Sequence, residues 1–220
     1  DLGLAFDGDA DRCLAVDEKG KEIDGDQIMA VCAEYLTAQG KLRSEGFVAT
    51  VMSNLGLHKF CEENHLKLLC AAVGDRNVLE LMQKESMVLG GEQSGHIIFL
   101  EHMTTGDGQL AALQFLSILG RSGKKASELA GQITHYPQVL KNVKVGSNEE
   151  KTAVLNSAEL AQTVAREEEK LSGRGRILLR ASGTEPLIRV MAEADTQDLA
   201  ESVVKTLVEA VENVQKILKK

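Results

Sequence analysis

Tryptophan is absent from this chain of 220 residues, and aromatic residues make up only 3% of it. Its cores must be filled by aliphatic side chains, and a hydrophobic content of 43% supplies them. No C-x-x-C pair occurs among the four cysteines, at 13, 32, 61 and 70, which argues against a zinc site. Each cysteine lies in an apolar segment and reads as a small core residue. A disulfide framework is not expected at this size, and a reducing cytoplasm is the expected location. No apolar run approaches the length of a membrane span, and the first residues carry no secretory hydrophobic segment. A basic stripe is missing as well. The net charge is -8 and the isoelectric point about 5.2, which sets aside nucleic acid as a partner. The chain also lacks an initiating methionine. It opens at Asp1, directly on an apolar run, Leu2 to Phe6, that reads as a buried strand. We therefore expect the C-terminal part of something longer, partnered by an N-terminal half.

What the chain does have is concentrated in Phe6-Asp7-Gly8-Asp9-Ala10-Asp11-Arg12. Three carboxylates stand at alternate positions, separated by Gly and Ala and followed by an arginine. Anions crowded in this way repel one another unless a cation lies between them. Ligands that are all oxygen suit a hard divalent ion such as Mg2+, and an adjoining guanidinium suits a phosphate. Two other readings stay open. D-x-D-x-D from Asp7 to Glu18 matches the outline of a calcium-binding EF-hand loop, although Arg12 stands where that loop needs glycine and the flanks read as strands. A solvated acidic turn is the plainer alternative.

The periodicity predicts strands over 2–6 and 13–17 around the acidic loop, with a turn after them at Lys19-Gly20-Lys21. A helix comes next, capped by Asp24 or Asp26, and ends at Gly40. Strands are predicted over 47–52 and 66–73, a short helix over 57–64, and a helix over 77–85 with Asn77 as cap. Strand-like segments at 87–89 and 96–100 bracket a glycine-rich turn, and a helix spans 107–119. This alternation argues for an α/β domain with a mostly parallel, mixed sheet. Composition shifts at 120–125, and a short helix over 126–133 leads to Pro137, so a domain boundary is placed around 123–138. Beyond it come a strand (139–145), one long helix (149–171), two strands (175–180 and 187–194) and a helix (196–218) with a single apolar stripe. This is a smaller α+β domain with helices on one side of an antiparallel sheet.

Two further loops carry candidate chemistry. Gly90-Gly91-Glu92-Gln93-Ser94-Gly95-His96 sets a carboxylate, an amide and a hydroxyl between glycines, a set suited to sugar hydroxyls; an ordinary β-turn explains it equally well. Arg180-Ala181-Ser182-Gly183-Thr184-Glu185-Pro186-Leu187-Ile188-Arg189 offers hydroxyls and backbone N–H groups between two arginines, a nest for an anion, with a polar hairpin turn as the alternative. Val73-Gly74-Asp75-Arg76-Asn77 follows a strand and precedes a helix, where α/β sites cluster; an ion-paired loop is equally compatible. Thr104-Thr105-Gly106-Asp107-Gly108 is explained as a helix cap.

With these motifs in this order, the chain resembles the α-D-phosphohexomutase superfamily over essentially its whole length. FDGDADR matches the family's metal loop, GGEQSGH its sugar-binding loop and RASGTEPLIRV its phosphate-binding loop. GEQSGH and RASGTEP, with TTGDG between them, look like the glucosamine branch rather than phosphomannomutases or phosphoglucomutases. The resemblance implies that residues 1–22 end the family's domain 2 with its metal loop. It likewise implies that 23–130 form the α/β domain 3 and 138–220 a TATA-binding-protein-like domain 4. The implied activity is that of an isomerase and phosphoprotein. It interconverts glucosamine 6-phosphate and glucosamine 1-phosphate through a bisphosphate, for amino-sugar and cell-wall precursor synthesis. Implied cofactors are Mg2+ and, as activator, glucosamine or glucose 1,6-bisphosphate. By the same resemblance Asp7, Asp9 and Asp11 hold the metal and Arg12 is the catalytic cation. Glu92, Ser94 and His96 bind the sugar, while Arg180, Ser182, Gly183, Thr184 and Arg189 bind the phosphate that is not reacting. One departure matters. The family's phosphoserine loop, T-A-S-H-N-P or a close variant, is nowhere in the chain, and Ser94 and Ser182 belong to other loops. The chain alone is thus expected to be inactive. A phosphomannomutase or phosphoglucomutase, or a non-catalytic sugar-phosphate binding fragment, remains the alternative, and the oligomeric state, a homodimer included, stays open.

Overall fold

The computed structural model describes residues 1–183 and 185–218. It divides into two compact units, Asp1–Thr134 and His135–Lys220.

The first unit opens with an antiparallel meander of β1 (Gly3–Phe6), β2 (Cys13–Val16) and β3 (Glu22–Ile23). Phe6 pairs with Cys13, so the acidic loop is the β1–β2 connection. The next turn is tied by the Asp17 carboxylate, which accepts from the Lys19 and Lys21 N–H groups. Helix α1 (Gly25–Ala38) begins with a reciprocal cap. The Asp24 carboxylate accepts from the Gln27 N–H, and the Gln27 side-chain oxygen accepts from the Asp24 N–H.

The second sheet of this unit contains β4 (Gly46–Thr50), β5 (Lys67–Ala71), β6 (Leu89–Gly91) and β7 (Ile97–Phe99), in the order β5-β4-β6-β7. β4 runs parallel to β5 and β6, while β7 is antiparallel to β6, so the sheet is mixed. Every residue of β4 is buried, as expected of a strand covered on both faces. Helices α2 (Leu55–Glu63), α3 (Asp75–Lys84), α4 (Gly108–Ser122) and α5 (Ala126–Ala130) complete the unit. Ile28, Leu57, Leu89 and Ile97 pack with Phe47 and Phe115 in its larger core, which also takes in Cys13, Ala15 and Ile23 from the meander.

Four local expectations give way to the structure. The opening run, expected to be buried, forms β1 with Gly3, Ala5 and Phe6 exposed. Helix α3 starts at Asp75, not at Asn77; Gly74 occupies the cap position at φ 125°, and the Asn77 amide donates back to the Val73 carbonyl. Gly90 and Gly91 are strand residues of β6 rather than part of a turn, because they pair with Ile98 and Ile97 of β7; a Cβ at Gly90 would lie 2.5 Å from the Met82 sulfur. Cys13, Cys32 and Cys61 are buried, but Cys70 is exposed, since it lies on the edge strand β5.

The second unit consists of β8 (Gln138–Lys144), α6 (Asn148–Leu155), α7 (Ala158–Leu171), β9 (Gly175–Ala181), β10 (Leu187–Ala194) and α8 (Gln197–Leu218). The sheet order is β8-β10-β9, antiparallel throughout. Ile188, Val190 and Ala192 of β10 pack against Val203, Leu207, Val211 and Val214 of α8. The single helix expected over 149–171 is two helices. Asn156 ends α6, and the Ser157 hydroxyl, accepting from the Leu160 N–H, starts α7. Among the described residues, no helix is long and apolar enough to cross a membrane.

Candidate functional site

The acidic loop is folded so that its carboxylates converge. The Ala10 N–H donates to the Asp7 carbonyl at 3.2 Å, closing a tight turn, and the Arg12 N–H donates to the Asp7 carboxylate at 3.3 Å. One oxygen from each of Asp7, Asp9 and Asp11 lies within 4.8 Å of the others. The Arg12 guanidinium stands 3.8 Å from Asp7 and 3.9 Å from Asp11. Burial raises the Asp11 carboxyl above its ordinary value, with further upward pushes from the hydrogen bond to Asp7 and from the negative charges of Asp7 and Asp9; His96 pulls the other way. One oxygen of Asp11 is buried with no hydrogen-bond partner.

The glycine-rich loop of residues 90–96 is joined to this acidic loop within the same unit. The Cys13 N–H donates to the Gly95 carbonyl at 3.1 Å, and Arg12 and His96 form an antiparallel bridge. His96 is 2% exposed, and its Nε2 lies 3.6 Å from Asp11. Glu92 is held on both oxygens, by the Gly74 N–H at 2.9 Å and the Ser94 hydroxyl at 3.3 Å. The same loop rests on the start of α1, where the Gly25 N–H donates to the Gln93 carbonyl and any Cβ at Gly25 would meet the Glu92 carbonyl at 2.1 Å. The metal candidates Asp7, Asp9 and Asp11 are thus joined, through Arg12, Cys13 and the Asp11–His96 approach, to the loop that carries the sugar candidates Glu92, Ser94 and His96.

The 104–108 segment does more than cap a helix. Asp107 does cap α4, accepting from the Leu110 N–H. The flanking glycines also clamp the site. The Gly106 N–H donates to His96 Nε2 at 3.2 Å, and the Gly108 N–H donates to the Ala10 carbonyl at 2.9 Å. A Cβ at Gly106 would lie 2.4 Å from the His96 ring, and one at Gly108 would lie 2.4 Å from the Arg12 carbonyl. Neither contact is evident from the residues alone; two glycines around a cap that needs only Asp107 are the one signal the sequence holds for them.

In the second unit, Arg180 and Arg189 stand directly opposite each other in the β9–β10 ladder. Like charges in this position repel. The Nε of each is buried without a hydrogen-bond partner. Burial lowers the Arg180 pKa, and the charge of Arg189 adds to the effect. Ser182 is buried and its N–H donates to the Leu187 carbonyl, closing the loop, while its hydroxyl accepts from the Glu185 N–H at 3.3 Å. Gly183 is exposed; Thr184 lies outside the described residues. Lys151 of α6, not singled out from the sequence, reaches under this loop.

The first unit thus carries a carboxylate triad joined to a polar glycine loop, and the second carries paired arginines on a small antiparallel sheet. The chain belongs to the phosphoglucomutase/phosphomannomutase family. The model for the family's alpha/beta/alpha domain III matches residues 24–136 and that for its C-terminal domain matches 140–210. Among curated relatives, phosphoglucosamine mutase of Lactococcus lactis subsp. cremoris (strain SK11) is 53% identical over 96% of this chain and 47% of its own length. Phosphoglucosamine mutase of Anoxybacillus flavithermus is 55% identical over 94% of this chain and 46% of its own. The chain therefore spans about half the length of these relatives. Among solved structures, Aspergillus fumigatus N-acetylphosphoglucosamine mutase in complex with GlcNAc-6P and magnesium superimposes with a TM-score of 0.80 at 22% identity, over 98% of this chain and 49% of that one. A serine-to-alanine variant of that enzyme in complex with glucose 1,6-bisphosphate gives a TM-score of 0.77 at 25% identity, over 98% of this chain and 49% of that one.

Proposed function

We propose that this chain supplies the metal-, sugar- and phosphate-binding groups of an enzyme that interconverts glucosamine 6-phosphate and glucosamine 1-phosphate through a bisphosphate. The observation that carries the proposal is the junction of the Asp7-Asp9-Asp11 triad with the Glu92 loop, made by Cys13, Gly95 and His96. The identity shared with phosphoglucosamine mutases supports the choice of sugar.

The triad suits Mg2+. Its donors are all oxygen, one Asp11 oxygen has no hydrogen bond to give up, and burial, then the neighbouring acids, already disfavour the metal-free Asp11 anion. When bound there, the ion supplies charge neutralisation at a transferring phosphoryl group. Arg12 adds a guanidinium beside it. Glu92, fixed on both oxygens, and Ser94 receive sugar hydroxyls in a set geometry. The buried ring of His96 supports the loop from beneath. Arg180 and Arg189 grip the second phosphate together with Ser182, Gly183 and Thr184. In this reading residues 1–22 belong with the family's preceding domain, 23–130 form domain 3 and 138–220 domain 4. The phosphoserine comes from an N-terminal half, a 1,6-bisphosphate serves as activator, and a reducing cytoplasm suits the buried thiols.

Titration calorimetry of the chain with Mg2+ tests the metal assignment. Asp9→Asn weakens binding by at least about tenfold, as loss of a ligand should when outer-shell changes alone reach that size. Unchanged affinity removes Mg2+ from the triad. Turnover of glucosamine phosphate by the chain alone, above background, overturns the division of labour. Faster turnover of mannose or glucose phosphates by the chain joined to its N-terminal half reassigns the substrate.

A further inference from the structure

A buried ammonium lies beneath the second anion loop. Lys151, in the first turn of α6, is 8% exposed. Its Nζ donates to the Ser182 carbonyl at 2.7 Å and to the Glu185 carbonyl at 3.4 Å. Among the described residues, no carboxylate lies within ion-pairing distance of it. The adjacent Glu150 is directed elsewhere, accepting from the Gly146 N–H and the Gln215 amide. A lysine taken out of water without a counter-anion is costly, and the start of a helix, with its partial positive charge, disfavours a cation further. Arg180 and Arg189, opposite each other with buried and unpartnered Nε atoms, flank the same loop. Three cations with no carboxylate partner among the described residues are poised for an anion, and for a dianion more than a monoanion.

The peptide geometry shows how Lys151 acts. All described peptide bonds are trans, so a carbonyl and the N–H of the following residue point in opposite directions. By drawing the Ser182 carbonyl inward, Lys151 turns the Gly183 N–H outward, away from the ammonium. We infer that Lys151 is a positioning residue for phosphate recognition: it sets the loop so that the Gly183 N–H faces the ligand, and adds its charge from below. The inference rests on reading residues 181–187 as the phosphate-binding loop.

The test titrates inorganic phosphate, then glucose 6-phosphate, into the 220-residue chain by calorimetry, alongside Lys151→Met and Lys151→Arg. The wild-type chain binds. Lys151→Met binds about tenfold more weakly or worse, the order expected for losing charged hydrogen bonds, and Lys151→Arg recovers most of the loss. Equal affinity in Lys151→Met with a lowered melting temperature overturns the inference, because a merely structural lysine behaves in that way. No phosphate binding by the wild-type chain overturns the phosphate-loop reading itself. Should Lys151→Met fail to fold, the wild-type side-chain ammonium resonance of Lys151 is followed by NMR during phosphate titration. It shifts along with the Gly183 amide, and an unmoved pair overturns the inference.

Discussion

Replacing Gly108 with alanine drives a methyl group into backbone. The new Cβ would stand 2.4 Å from the Arg12 carbonyl oxygen and 2.9 Å from that of Ala10. Neither atom can turn aside as a side chain could, so the first turn of α4 and the acidic loop must separate. Overpacking of this kind costs about 1–3 kcal/mol, and the lost Gly108–Ala10 hydrogen bond adds about 1 kcal/mol. Better helix propensity returns at most about 1 kcal/mol. The net loss is about 2 kcal/mol, or roughly 4–8 °C in melting temperature for a chain of this size. Gly120 is the matched control in the same helix, for no atom lies within 4 Å of a Cβ added there; at that position alanine holds or raises stability by up to about 1 kcal/mol. Thermal melts with and without Mg2+ separate the two. Gly108→Ala melts lower and gains less from Mg2+, since ligand stabilisation follows affinity, whereas Gly120→Ala keeps the wild-type metal response. A Gly108→Ala chain indistinguishable from wild type on both counts refutes the clamp.

Arg189→Ala lowers phosphate affinity by about 1.5–3 kcal/mol, the worth of a charged hydrogen bond, while relieving the repulsion with Arg180; unchanged affinity by calorimetry returns Arg189 to a plain strand residue. Glu18 holds the start of α5, accepting from the Ser127 hydroxyl at 2.5 Å and the Ser127 N–H at 3.2 Å. Those contacts, the hydroxyl foremost, depress its carboxyl from 4.5 to about 2. A depressed carboxyl stabilises the fold above its unfolded value and loses that contribution as pH falls from 4.5 toward 2. Glu18→Gln therefore flattens the acid limb of stability in that window, and an unaltered acid limb in urea melts across it counts against the anchor.

Local chemistry makes some elements legible, and long-range contact hides others. Asp24, one of two cap candidates beside Asp26, announces α1, and Asp107 announces α4, because a cap is written within a few residues. The three aspartates are close together in the chain, so a candidate metal loop is visible without a fold. The break between α6 and α7 escapes notice because Asn156 and Ser157 fit a helical interior when only periodicity is counted. Lys151 gives no signal because a lysine in an acidic helix ordinarily faces water, and its contacts with the Ser182 and Glu185 carbonyls appear only in space. The link from Gly74 to Glu92 is likewise hidden, for it spans 18 positions. The sheet reads from sequence as mostly parallel and mixed, and two parallel pairs with one antiparallel pair, β6–β7, match that reading.

Ala10 sits at φ 59°, in the left-handed region that glycine enters freely and alanine enters at about 1 kcal/mol of strain. A glycine there would ease the turn yet enlarge the set of shapes the hairpin tip can wander through. Alanine keeps the tip stiff, so the three carboxylates are held within reach of one another, and on the proposed reading little ordering would be left for the moment an ion arrives.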